Sequence, residues 1–197
     1  KCTVYRKFHD SPVRALYENI SVLIAHLTGE ASRFHEKAST DALTGLNNRG
    51  SFEEKCGLEA KRCERLGVPM SLVLFDLDQF KEINDEQGHL VGDYCLKGFA
   101  KGLRIMSRGT DLLFRAGGDE FTALLVDADE AAADEYIQRI QGAVDRWNTD
   151  LEHPYPVHLA ASAGGACLAE FQGDIKACLA EADRRMYANK RERKAGR

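Results

Sequence analysis

No apolar run in this 197-residue chain approaches the roughly 20 residues that a membrane-spanning helix needs, and no signal-peptide pattern opens it. It has no CxxC pair and no histidine cluster near its six cysteines, which argues against a zinc site or a disulfide framework. Cys2, Cys56, Cys63, Cys95, Cys167 and Cys178 lie scattered in periodic apolar segments and read as reduced, mostly buried thiols, which fits a cytoplasmic protein. A net charge of −4 gives no basic footprint for a nucleic-acid polymer, so a nucleotide partner has to be held by local features. A Walker-type glycine loop, an internal repeat and a low-complexity tract are all missing. What is present is ordinary for a globular protein: 44% hydrophobic and 29% charged residues, enough for one large domain or a domain with a helical appendage.

The appendage comes first. Ser11 and Pro12 form a helix start, and Val13, Leu16, Ile20, Leu23 and Leu27 follow at alternating three- and four-residue spacing, with Phe34 next after the polar Glu30. Because the seam is short and Gly29 interrupts it, a coiled coil and an amphipathic helix folded on its own domain both fit. A boundary near Ala38 to Thr40 separates a helical segment over 1–39 from a domain over 40–197. The chain opens on Lys1 rather than Met, so it reads as a fragment of something longer, with any upstream sensor or membrane anchor lying before residue 1.

Within the domain, a turn-rich stretch from Asp41 to Arg49 leads into a helix over about Gly50 to Leu66, with Phe52, Cys56, Cys63 and Leu66 on one face. Gly67-Val68-Pro69 breaks it. Met70 to Asp76 is nearly all apolar, as a central buried strand should be. A short helix marked by Phe80, Ile83 and Gln87 closes at Gly88, and Asp93 is expected to open the next helix, which carries Leu96, Phe99, Leu103 and Met106. Strands at Asp111–Phe114 and Phe121–Val126 flank Gly117-Gly118, a hairpin signal because glycine reaches positive φ without strain. Then come a helix over Glu130 to Trp147, a loop over Asn148 to Pro156, a small-residue strand over Val157 to Ala166, and a helix from Asp174 with a basic end. This order predicts an α/β fold of the α+β kind: a mostly antiparallel central sheet flanked by helices, with an N-terminal helical extension.

Two acidic motifs stand out. Asp119 and Glu120 follow the Gly-Gly turn, and the buried strand ends in Asp76-Leu77-Asp78, where either metal binding or a helix cap at Asp78 explains the charge. If the hairpin tip lies beside that strand end, Asp76, Asp119, Glu120 and the Leu77 carbonyl form an all-oxygen set suited to Mg²⁺ or Mn²⁺. Two such ions can activate a hydroxyl and stabilise a leaving pyrophosphate, which is nucleotidyl transfer. Backbone N–H groups of Gln79 to Glu82 could hold a triphosphate at the helix start, with Lys81 either neutralising phosphates or solvated, and Lys190 as a second cation. The Asp93 carboxylate can accept both guanine donors while Asn84 pairs with another edge, a preference for GTP worth roughly 10⁴-fold in well-built sites.

Gly117 to Phe121 spell the motif of the GGDEF family of diguanylate cyclases, and Asp41 to Arg49 is similar to the DxLTGLxNR stretch that opens its domains. The resemblance runs from Asp41 to about Lys190. It implies a palm-like fold shared with adenylyl cyclases and polymerases, and two Mg²⁺ or Mn²⁺ ions per site on Asp76, Leu77, Asp119 and Glu120. It implies that Asp119 accepts a proton, that Asn84 and Asp93 read guanine, and that His89 and Phe80 line the nucleoside pocket. A homodimer would join two GTP into cyclic di-GMP, and the N-terminal helix would connect an upstream sensor domain. Arg108-Gly109-Thr110-Asp111 resembles the family's RxxD product-inhibition site, though a local salt bridge would use the same spacing. Ala116 stands where an aromatic is usual. In the C-terminal AD-x₃-Y-x-A-K-x₂-GRN pattern, Arg193, Lys194 and Ala195 replace the last three residues. A catalytically silent receptor for GTP or cyclic di-GMP is the alternative; the intact Asp76, Asp119 and Glu120 argue against it. Asp93 argues against hybrid cyclic dinucleotides.

Overall fold

Alternation along Met70–Leu77 decides the architecture. In the computed structural model, which describes residues 39–150 and 152–195, this segment is strand β2, paired on both sides. Val73, Phe75 and Leu77 enter one hydrophobic cluster, and Met70, Leu72 and Leu74 another. A strand buried on both faces needs helices on both faces. The chain divides into two units at Ser39 and Thr40, and the second carries everything below. The expected N-terminal helix, with Ser11, Pro12 and the apolar seam, lies outside the described residues, as does Cys2.

The sheet runs in the order β1-β3-β4-β2-β5, with β1 at Asn47–Asn48, β3 at Leu112–Arg115, β4 at Glu120–Val126 and β5 at Ala161–Cys167. All neighbours are antiparallel except β1 and β3. The two-residue β1 was unforeseen, because it hides in a turn-rich motif and pairs with a strand far along the chain. Helices α3 (His89–Met106) and α4 (Glu130–Thr149) cover one face, where Phe75, Phe99, Phe121 and Tyr136 meet edge to face at centroid separations of 4.9–6.1 Å. Helices α1 (Arg49–Leu66) and α5 (Ile175–Ala195) cover the other, with Cys56, Phe114, Leu124, Cys178 and Ala182. Five cysteines are free and buried, and burial pushes the Cys56 and Cys95 thiols up to about 11 and Cys178 to about 12.

Three expectations need correction. Leu66, the last residue of α1 before Gly67, is 59% exposed, while Cys56 and Cys63 remain inside. Helix α3 begins at His89, directly after α2 (Phe80–Gln87), so Asp93 lies within it and caps nothing; Gly88, at φ 87°, turns the chain without a carboxylate. Strand β5 starts at Ala161 and not at Val157, since the Asn148 amide binds both the N–H and the carbonyl of Leu159, at 2.8 and 2.7 Å. The small residues of that strand do admit a helix: a Cβ on Gly164 would lie 2.2 Å from Met186 N and 2.3 Å from Ala182 O in α5.

Candidate active site at the end of the central strand

Strand β2 delivers its acidic end to the hairpin. Asp76 is paired in register with Glu120, and Leu77 N donates to Asp119 O at 3.2 Å. The two acidic motifs, far apart in sequence, thus share one sheet end. The turn closes through Ala116 N to Glu120 O at 2.9 Å. Neither Gly117 nor Gly118 takes a positive φ, contrary to the sequence expectation. Glycine at 117 leaves room for a neighbour: a Cβ there would lie 2.6 Å from Glu120 Oε2, the end of an exposed side chain that would have to turn aside.

Arg115, which sequence reasoning passed over, ties this turn to the start of the domain. Its guanidinium donates to Gly118 O at 2.6 Å and to both Asp41 oxygens at 3.1 and 3.3 Å. Asp41 Oδ1 also accepts from Thr44 N and Oγ1, at 2.9 and 2.6 Å. Partial burial opposes the Asp41 charge, but the Thr44 and Arg115 hydrogen bonds outweigh it and hold the carboxyl below its ordinary range. The only local signal was an arginine before a glycine turn; its partner lies 74 residues away.

Two cations from α5 face the carboxylates. Lys190 Nζ donates to Asp76 Oδ1 at 2.5 Å. Burial alone would lower the Lys190 pKa, yet the Asp76 hydrogen bond and the Asp76, Asp78 and Asp119 charges raise it. Asp78 is buried, accepts from Ser162 Oγ at 2.7 Å, and has Arg193 Nε 3.2 Å from its Oδ2, at an angle that makes no hydrogen bond. Asp78 does not cap α2; Gln79 holds that position in left-handed backbone. Lys81, in the first turn of α2, is exposed. Lys194 and Ala195 are exposed at the end of α5.

Among the described residues, no three His, Cys, Asp or Glu side chains already converge as a metal-holding group. The donor chemistry still fits a hard divalent cation: Asp76 and Glu120 are ladder neighbours, Asp119 follows the same turn, and all the candidate donors are oxygen.

The junction of α2 and α3 gathers the base-reading candidates. A Cβ on Gly92 would lie 2.1 Å from Asn84 Oδ1 and 3.2 Å from Phe80 Cζ, so both side chains rest on that glycine beside half-buried Asp93. Gly92 was a missed contributor. His89 is exposed at the first position of α3. Arg108 and Asp111 share a tight turn in which Asp111 Oδ2 accepts from Arg108 N at 2.7 Å; no ion pair joins their side chains, and the guanidinium side is exposed. A groove of about 700 Å³ between α3 and α4 includes none of the expected site residues; a cavity of about 370 Å³ opens beside Asp78, Glu82 and His158. Among the described residues, no helix is long and apolar enough to cross a membrane.

The family model described as "Diguanylate cyclase, GGDEF domain" matches residues 38–196. The chain is 32% identical over 192 residues to diguanylate cyclase DgcP of Pseudomonas aeruginosa, covering 93% of this chain and 28% of that one. It is 33% identical over 181 residues to diguanylate cyclase DosC of Escherichia coli, covering 91% of this chain and 38% of that one. Among solved structures, the GGDEF domain of DgcB from Caulobacter crescentus, in complex with c-di-GMP, superposes with a TM-score of 0.71 at 25% identity, covering 79% of this chain and 89% of that one.

Proposed function

The chain belongs to the GGDEF family of diguanylate cyclases, and on that premise we propose that it condenses two GTP into cyclic di-GMP with release of two pyrophosphates. The observation that carries this reading is the pairing of Asp76 with Glu120 and of Leu77 N with Asp119 O, which unites the two acidic motifs at one sheet end.

In the proposed reaction, the 3′-oxygen of each GTP forms a bond to the other's α-phosphorus as the bond to the β-phosphate oxygen breaks. Asp119 receives the proton of the attacking hydroxyl. Asn84 and Asp93 orient guanine, against which Phe80 and His89 form the nucleoside pocket. Lys81, Lys190 and the N–H groups at the start of α2 hold the triphosphate, where the helix terminus favours negative charge. Asp76, Glu120, Asp119 and the Leu77 carbonyl would hold two Mg²⁺ or Mn²⁺ ions. Such ions supply Lewis-acid stabilisation of the developing charge and of the pyrophosphate. Each domain holds one GTP, so the reaction needs a homodimer. The exposed Arg108 and the Asp111 turn form a product-inhibition site: guanidinium suits phosphate or a guanine face, and the carboxylate suits guanine N–H. The DgcB domain in complex with c-di-GMP supports the ligand class. Because the chain spans 28% of DgcP and 38% of DosC, an upstream sensor domain in the whole protein is part of the same proposal.

The test is incubation with GTP and Mg²⁺ across a range of protein concentrations, with mass identification of the product. Cyclic di-GMP formed faster than linearly in protein, and lost in Asp119→Ala, is the expected result. Tight binding of GTP or cyclic di-GMP with no product at any concentration would replace the cyclase with a silent receptor.

A further inference from the structure

Helix α5 aims two positive charges, one turn apart, at the two carboxylates that end and follow β2. Residues at this spacing share a helix face. Lys190 Nζ lies 2.5 Å from Asp76 Oδ1, and Arg193 Nε lies 3.2 Å from Asp78 Oδ2. Arg193 is the residue that stands where the family pattern has glycine, so the second charge is a departure from that pattern. Asp78 is 7% exposed, and its Oδ2 is, among the described residues, the buried side-chain oxygen that accepts no hydrogen bond. A carboxylate this deep needs a nearby cation, and the guanidinium supplies it.

The Asp76 side differs. Its oxygen faces an ammonium at hydrogen-bond distance, and a divalent ion at the same oxygen would meet that charge at close range. Like charges a few ångströms apart repel strongly where water is partly excluded. Lys190 and a divalent ion therefore exclude each other at Asp76, and the phosphates of an incoming nucleotide offer Lys190 another compatible partner.

We propose that α5 is a built-in counter-cation: Lys190 occupies Asp76 in the nucleotide-free chain, Arg193 anchors that helix turn on Asp78, and divalent metal enters only together with the nucleotide that draws Lys190 away. Lys190 is then a gate on metal entry as well as a phosphate contact, and Arg193 is a positioning residue that holds the gate shut. The inference rests on Asp76 being a metal ligand, as in the function proposed above.

The experiment titrates Mn²⁺ alone into the nucleotide-free chain, read by calorimetry and by the loss of the free-ion electron paramagnetic resonance signal. Lys190→Met should bind Mn²⁺ at least about tenfold more tightly than the unaltered protein, and Arg193→Gly should give a smaller gain. Asp76→Asn added to Lys190→Met should erase the gain, placing the ion at that carboxylate. Equal or weaker Mn²⁺ binding by Lys190→Met, or a gain that survives Asp76→Asn, overturns the proposal. Lys190 belongs to neither hydrophobic cluster, so its replacement leaves the core intact, and a melting curve checks this. The readout contains no turnover. A failed product assay with the expected Mn²⁺ pattern would sink the cyclase and spare the gate, and the opposite pattern would do the reverse.

Discussion

Gly117 shows how a single hydrogen atom in place of a methyl group shapes the site. Its side of the turn is filled by the Glu120 carboxylate, so Gly117→Ala forces Glu120 to move by an ångström or so. Misplacement on that scale can reduce turnover by about 10²-fold. The expected result is that loss in cyclic di-GMP formation with a nearly unchanged melting temperature, since the turn is on the surface. Position 117 was legible as glycine with a purpose, but the purpose read from the sequence, positive φ, was wrong; steric room for a neighbour three residues on cannot be read without side-chain direction. Asp93 gives a second residue-scale prediction. Asp93→Ala should raise the KM for GTP and erode its preference over ATP, by up to roughly 10⁴-fold in the ratio of kcat/KM, measured with both nucleotides in competition. Asn84 and Asp93 were singled out by the motif, and the structure sets the Asn84 side chain against Gly92, the residue before Asp93. That Asp93 sits inside α3 was not legible, because an aspartate five residues past a glycine looks like a cap until the backbone shows the helix starting at His89, directly after that glycine.

At the scale of elements, the start of the domain and the Gly-Gly hairpin are held together by Asp41 and Arg115. The folded-state pKa of Asp41 is depressed, so its contribution to stability is complete above the ordinary value of 3.8 and disappears as the pH falls through the lower, folded value. Urea midpoints at pH 7 and pH 3 should therefore differ more for the unaltered protein than for Asp41→Asn, which lacks the titrating group. Sequence patterns revealed the turn-rich start and the hairpin but not the tie, because pairings across 74 residues depend on how the sheet is wound. The same limit explains β1 and the late start of β5: a two-residue strand and an asparagine clamp leave no periodicity to detect. By contrast β2 was legible almost to the residue, since a strand buried on both faces must be apolar throughout.

For the whole molecule, the proposed chemistry has no complete site in one chain. Specific activity should rise with protein concentration, and two copies joined by a flexible linker should lose that dependence, because the second domain is then present at a high effective concentration. A light-scattering mass at each assay concentration shows whether activity follows the dimer fraction.

The close seat of α5 on β5 has a mechanical meaning. With no side chain at position 164, the helix backbone settles against the strand near Ala182 and Met186, and Asn189 Oδ1 takes the N–H of Ala163 at 3.1 Å. This notch works as an index mark. A slip of one residue would rotate the helix by about 100° and translate it by about 1.5 Å, turning Lys190 and Arg193 away from β2. The angular setting of both charges is thus keyed by a missing methyl group on a neighbouring strand. Gly164→Ala should accordingly unseat the two cations together and lower stability by about 1–3 kcal/mol, seen as a drop in melting temperature.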